Sequence, residues 1–223
     1  STMNSSVKRS RRKGMSALIK ALIVLIALSS AVLVAFRIWV VNAQCVTYPE
    51  RHYQVGETVD LSGTFYDAYE GEGDANHGYS VKVDGAEVLS PNEFIAKYAA
   101  DDKTPVTDGD VKSIVNVTCT FANKGNTDGG LWIFKYLLVP SSMNSAWTYD
   151  VELWERAYPF MANQISFSLE EGTIFTMQVP FYLEKRADYF SSYDETGRVP
   201  VSDDRYQLLL SNVPERTWVD LYL

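Results

Sequence analysis

Residues 15–41 form one long apolar run, and between Ala21 and Phe36 it carries no charge. Lys20 lies one turn inside it and Arg37 near its far end. About 20 apolar residues at about 1.5 Å each cross a hydrocarbon core of about 30 Å. The run therefore predicts one membrane-spanning helix, with Lys20 snorkelling to the headgroups and Trp39 as an interface anchor. Lys8, Arg9, Arg11, Arg12 and Lys13 precede it, so the positive-inside rule makes 1–14 a cytoplasmic segment and puts the rest outside. A cleaved signal peptide is the rival, because Val41-Asn42-Ala43 resembles a cleavage site. The length of the run and Arg37 favour an uncleaved signal-anchor. Ala27, Ala31 and Ala35 make a small-residue stripe, which is also what alanine-rich spanning helices contain by chance.

Beyond the run, the period changes to two. Alternating stretches broken by Gly, Pro, Asn and Asp predict strands over 53–61 (turning at Gly56-Glu57), 64–69, 79–89 (bulged at Asp84-Gly85), 110–122, 147–155, 172–183, 205–211 and 216–223. Phe167-Ser168-Leu169 reads as a further short strand piece before the Glu170-Glu171-Gly172 turn. Residues 131–139 are almost continuously apolar and predict a central strand covered on both faces, with Trp132 in the core. Ser90-Pro91 opens the one expected helix, 91–100, whose Phe94, Ile95 and Tyr98 share a face. About eight or nine strands with one short helix define an all-β, immunoglobulin-like two-sheet sandwich. The expected organisation is a 42–52 tether and a 53–223 extracytoplasmic domain. About ten tether residues reach at most about 35 Å, which keeps the domain and its partners near the membrane.

Charge sharpens this division. Residues 1–43 hold seven basic side chains and no acidic one, against 20 basic and 28 acidic in the whole chain. The other 180 residues therefore hold 13 basic and 28 acidic, a net of −15. Such a domain does not neutralise phosphates, so nucleic acid is not an expected partner. The membrane is one partner, and a membrane-proximal protein is the other expected.

Candidate chemistry is sparse. Cys45 and Cys119 could form a disulfide outside the cytoplasm; alternatively Cys119, on the apolar face of its strand, is a buried thiol. Glu70, Glu72, Asp74 and Asn76 alternate in a glycine-rich loop and present oxygens suited to calcium, though without EF-hand spacing. Asp101, Asp102, Asp108 and Asp110 form a second acidic loop. Glu152 with Glu155, Glu170-Glu171 and Asp203-Asp204 are carboxylate pairs that a hydrolase would need across a cleft. His52 in the tether and His77 in a loop read as solvated, and no metal motif contains them. Trp147 and Trp154 flank a surface-like segment and are the candidate binding patch. No cofactor and no catalytic residues are expected. The primary reading is a non-enzymatic, membrane-anchored interaction module. The alternatives are an envelope hydrolase or carbohydrate-binding domain with an aromatic and acidic groove, and a calcium-dependent surface protein.

The order of segments resembles a known family. After the anchor come Tyr53-Gln54-Val55-Gly56-Glu57-Thr58-Val59, then Tyr79-Ser80-Val81-Lys82-Val83 leading into Leu89-Ser90-Pro91-Asn92-Glu93-Phe94-Ile95-Ala96-Lys97-Tyr98. Val115-Asn116-Val117-Thr118-Cys119-Thr120-Phe121-Ala122-Asn123 and Gln178-Val179-Pro180-Phe181 follow. These are similar to uncharacterised single-pass membrane-anchored proteins of Gram-positive bacteria with a telokin-like, immunoprotective-antigen type of ectodomain. The resemblance implies a cell-surface location and the sandwich fold. It implies no activity and no functional residues.

Overall fold

A computed structural model of the chain describes residues 17–43, 48–66, 75–106, 113–141, 146–164, 166–182, 184–185, 197–198 and 204–223. The chain divides into two units after residue 47. The first contains α1 (Ala17–Ala43), a helix of 27 residues. At 1.5 Å per residue it is about 40 Å long, enough to cross a bilayer core by length and composition.

The second unit contains strands β1 (Glu50–Gln54), β2 (Thr58–Asp60), β3 (Tyr79–Leu89), β4 (Ile114–Asn123), β5 (Leu137–Pro140), β6 (Thr148–Tyr149), β7 (Ile174–Tyr182), β8 (Glu184–Lys185), β9 (Gly197–Arg198), β10 (Arg205–Ser211) and β11 (Arg216–Tyr222). Two sheets pack face to face, in the orders β1-β11-β10-β5 and β2-β3-β4-β7-β6, and β8 pairs with β9 separately. Only β1 with β11 is parallel among these pairs. One core joins the sheets. Val81, Val83, Val117, Cys119, Phe121, Met177 and Val179 from one meet Leu138, Tyr206, Leu208, Leu210, Val219 and Leu221 from the other. Period-two alternation puts these residues on one face of each strand. This is the expected two-sheet sandwich.

Local chemistry accounts for the elements that held. Helix α2 (Pro91–Tyr98) has a capping box: Glu93 N donates to Ser90 Oγ, and Ser90 N donates to the Glu93 carboxylate. Its Phe94 and Ile95 bury against Ile114, Leu153 and Ala157 in a second, smaller core on the outer side of the five-stranded sheet. β3 covers the expected residues, and its register slips between Val83 and Gly85 as the Asp84-Gly85 bulge requires.

Four expectations are corrected. The stretch expected as a strand over 53–61 is two strands in different sheets, β1 beginning at Glu50 and β2 at Thr58. Gly56, at φ +89°, turns the chain from one sheet to the other. Residues 131–139 are not a central strand. Leu131 makes one bridge to Phe167, residues Ile133–Lys135 make a 3₁₀ turn, and β5 is at a sheet edge. The 147–155 strand shrinks to β6, followed by a second helix, α3 (Val151–Ala157). Asp150 caps α3 through its carboxylate, which accepts from Leu153 N. In the segment expected as a strand over 64–69, Phe65 makes only a bridge to Val213, and 67–69 lie outside the described residues.

Candidate functional site

At one end of the sandwich, three loops are fastened together by two buried asparagines. Asn123, 1% exposed, donates through Nδ2 to the carbonyls of Asn126 and Leu169, both at 2.7 Å. Its Oδ1 accepts from Gly125 N at 3.0 Å and Asn126 N at 2.7 Å. Asn126 donates to the carbonyls of Ala75 and His77, both at 2.9 Å, and accepts from Asp128 N and Gly129 N. A primary amide has two donors and one acceptor oxygen with two lone pairs, so each side chain is fully used. Gly129 and Gly130 have no room for a side chain. A Cβ on Gly129 would lie 2.1 Å from the Ala75 carbonyl oxygen, and one on Gly130 would lie 2.9 Å from that of Phe167. Gly130 N in turn donates to Ala75 O, and Leu131 exchanges two backbone bonds with Phe167.

This frame borders a cavity of about 260 Å³, to whose lining it contributes Ala75, Asn76 and Gly130. Leu61, Phe65, Leu131 and Leu210 form its apolar wall, and Tyr66, Trp132 and Tyr136 supply aromatic surface. Lys135 is the charged side chain among its described lining residues, and Asn76 is the amide. The Ile133–Lys135 turn explains the arrangement. In a 3₁₀ turn, residues three apart lie on one side. Ile133 and Tyr136 are thereby buried at 3% and 4%, while Trp132, 41% exposed, shares the outer side with Lys135. The Lys135 ammonium lies 4.0 Å from the centre of the Trp132 ring and 5.9 Å from those of Tyr66 and Phe134. Such cation–π contacts hold the ammonium at the cavity mouth. Burial pushes the Tyr66 and Tyr136 hydroxyls above their ordinary value, so both stay protonated at neutral pH. A shallower polar groove continues past Trp132, lined by Asp128, Gln164, Ser166 and Ser168.

The tryptophans reverse their expected roles. Trp147 and Trp154, the candidate patch, are buried at 1% and 5%. Trp147 packs edge-on against Tyr206, and Trp154 lies under Tyr149 and Tyr158. Neither can stack on a ligand. Trp132, expected in the core, is exposed.

Other candidates separate. Of the calcium candidates, Glu70, Glu72 and Asp74 lie outside the described residues, and the Asn76 side chain donates to the Thr64 carbonyl. Asp102 accepts from Thr104 N and lies 3.7 Å from Arg156, while Asp108 and Asp110 are outside the described residues. Among the described residues, no three His, Cys, Asp or Glu side chains gather as a metal site. Glu152 pairs with Arg156, and Glu155 accepts from Asn163 N, so the two serve their own helix and turn. Asp203 is outside the described residues. His52 belongs to β1, stacks beside Trp218 and bonds Asp220 at 3.2 Å. Cys119 is a buried free thiol whose pKa is raised by burial and by Asp84, and Cys45 lies outside the described residues.

Fold and site together define a β-sandwich domain, carried behind an apolar helix, with a small aromatic-walled cavity at one loop end. The chain belongs to the family described as Domain of unknown function (DUF5028), whose model matches residues 50–217. Among solved structures, the crystal structure of MPT63, a secreted protein from Mycobacterium tuberculosis, is similar at 11% identity and a TM-score of 0.37, covering 80% of this chain and 100% of that one. No curated protein matches the chain.

Proposed function

We propose that this chain is a non-enzymatic binding module, held by α1 as a single-pass anchor with its amino terminus in the cytoplasm and its β-domain outside. In this reading it comes from a Gram-positive bacterium and meets its partner near the membrane. The observation that carries the binding reading is the cavity itself. Loops fixed by Asn123 and Asn126 border a concave site of apolar and aromatic side chains, with Lys135 the charged side chain among its described lining residues. Mostly apolar walls with few polar groups are the usual form of a ligand site. The described lining has no carboxylate, imidazole or thiol that would suit proton transfer or nucleophilic attack. The basic residues before α1 support the orientation. A carbohydrate ligand is a second reading, favoured by the polar groove of Asp128, Gln164 and Ser168 beside the exposed Trp132.

Labelling with a membrane-impermeant maleimide tests both parts, using Thr127→Cys in the loop that Asn126 fixes at this end of the sandwich and Phe160→Cys on the 67% exposed Phe160, each on a Cys45→Ser background. Both should label in intact cells, and Thr127→Cys should react several-fold more slowly there than in the purified chain. Labelling only after permeabilisation rejects the location. Equal rates in cells and in purified protein at both positions reject binding at this end.

A further inference from the structure

We infer that the cavity takes a small uncharged molecule: an aromatic or branched aliphatic body between Leu61, Leu131 and Leu210, with an oxygen acceptor such as a carbonyl on the Tyr136 hydroxyl. This rests on the reading of the cavity as the binding site and assigns the chemistry of its ligand. Size comes first. An apolar cavity of about 150 Å³ admits benzene, and pockets for drug-sized ligands begin near about 300 Å³. A volume of about 260 Å³ therefore fits one ring or branched chain with a short substituent.

Polarity comes second. The wall of Leu61, Phe65, Leu131 and Leu210 rewards burial of hydrocarbon, and a charge buried against it is costly unless a counter-charge meets it. The Lys135 ammonium is already engaged, with Trp132 at 4.0 Å, so the described lining is not matched to a charged ligand. Asn76 is committed as a donor to the Thr64 carbonyl at 2.8 Å. Tyr136 differs. It is 4% exposed, and its hydroxyl has no hydrogen-bond partner among the described residues. That hydroxyl is not sealed in the core as the Asn116 Oδ1 is, so the surface it keeps faces the cavity that Tyr136 lines. Phe121 stacks on the Tyr136 ring, with centres 6.4 Å apart, and holds it in place. Burial keeps the hydroxyl protonated at neutral pH, so it stays a donor. A buried donor without an acceptor is costly, and a ligand oxygen removes that cost. A plain hydrocarbon would fill the same volume and leave the donor unmet.

The probes are acetophenone and cumene, which are close in shape and differ in the carbonyl. Each is titrated calorimetrically at neutral pH into the full chain in lipid nanodiscs, with free concentrations corrected for uptake by protein-free discs. Relative to cumene, acetophenone should bind the wild type about three- to tenfold more tightly than transfer of the two probes from water to hydrocarbon predicts. Tyr136→Phe should remove that excess by weakening acetophenone, and should leave the affinity for cumene unchanged. Melting temperatures show that the variant is folded. A wild type that ranks the probes as hydrocarbon transfer does, or an excess that survives Tyr136→Phe, overturns the assignment to Tyr136 and leaves the cavity as an apolar site. Binding of neither probe to the folded wild type, beyond uptake by the discs, overturns the inference together with the reading of the cavity beneath it.

Discussion

Asn123 and Asn126 are among the few buried polar side chains of the domain, and their eight side-chain hydrogen bonds fix the loops that form the cavity. A second polar cluster lies under the helices. Glu87 accepts from Tyr98 at 2.5 Å, from Lys97 at 2.9 Å and from Asn116 at 3.2 Å. Burial raises the Glu87 pKa, but the hydrogen bonds from Tyr98, Lys97 and Asn116 outweigh it and hold the carboxyl below its ordinary 4.5. A carboxyl depressed in the folded state stabilises fully above its unfolded pKa, and that contribution is lost as pH falls through the folded pKa. Urea melts from about pH 6 to about pH 3 should therefore show the wild type losing stability more steeply than Glu87→Gln. Equal slopes would mean that Glu87 contributes nothing to acid lability. At this scale the sequence was readable where alternation governs, as in the inward Cys119. It misled for the tryptophans. In an apolar run such as 131–139, strand periodicity buries Trp132, whereas the 3₁₀ turn buries Ile133 and Tyr136 three apart. The available signal was Gly129-Gly130 just before the run and Lys135 within it.

The elements depend on caps and turns as much as on periodicity. Helix α2 was legible because Ser90 and Pro91 form a start signal ahead of Phe94, Ile95 and Tyr98 on one face, and the structure adds Glu93 as its capping-box partner. Helix α3 carries a comparable signal in Asp150, but Trp147, Tyr149 and Val151 alternate like a strand and conceal it. Its identity is decided by packing: Leu153, Trp154 and Ala157 bury together at helical spacing, with Leu153 and Ala157 against α2. Asp150 is 2% exposed, and its carboxylate accepts from Leu153 N. Asp150→Ala should cost about 1 kcal/mol, within the usual 0.5–2 kcal/mol for a lost N-cap. Thermal or urea unfolding checks this, and an unchanged stability would show that the cap is dispensable. The strands β3, β4, β7, β10 and β11 were each visible as alternating stretches, and their pairing emerges only in the fold. The crossing of the chain between sheets at Gly56 was visible only as a turn, because the pairing partners of its two sides are far away in sequence.

For the molecule as a whole, the amino-terminal apolar helix and the sandwich were both legible, because each depends on a long and regular pattern of hydrophobicity. The cavity was not. It is assembled from residues near 61–66, 75–76, 130–136 and 210, which only the packed sandwich brings together. A sequence with no catalytic motif thus folds into a sandwich with an aromatic-walled recess among its described residues, and recognition at that recess is the central functional claim. The most direct test is photo-crosslinking in intact membranes, with benzoylphenylalanine placed at Trp132 in one chain and at Phe160 in another. Phe160 is exposed and, as part of the Tyr158–Phe160–Phe175 aromatic cluster, is not among the cavity-lining residues. The expected result is a discrete adduct from position 132 and none from position 160. An adduct from 160 alone, or none from either in a folded, membrane-inserted chain, would contradict recognition at the recess.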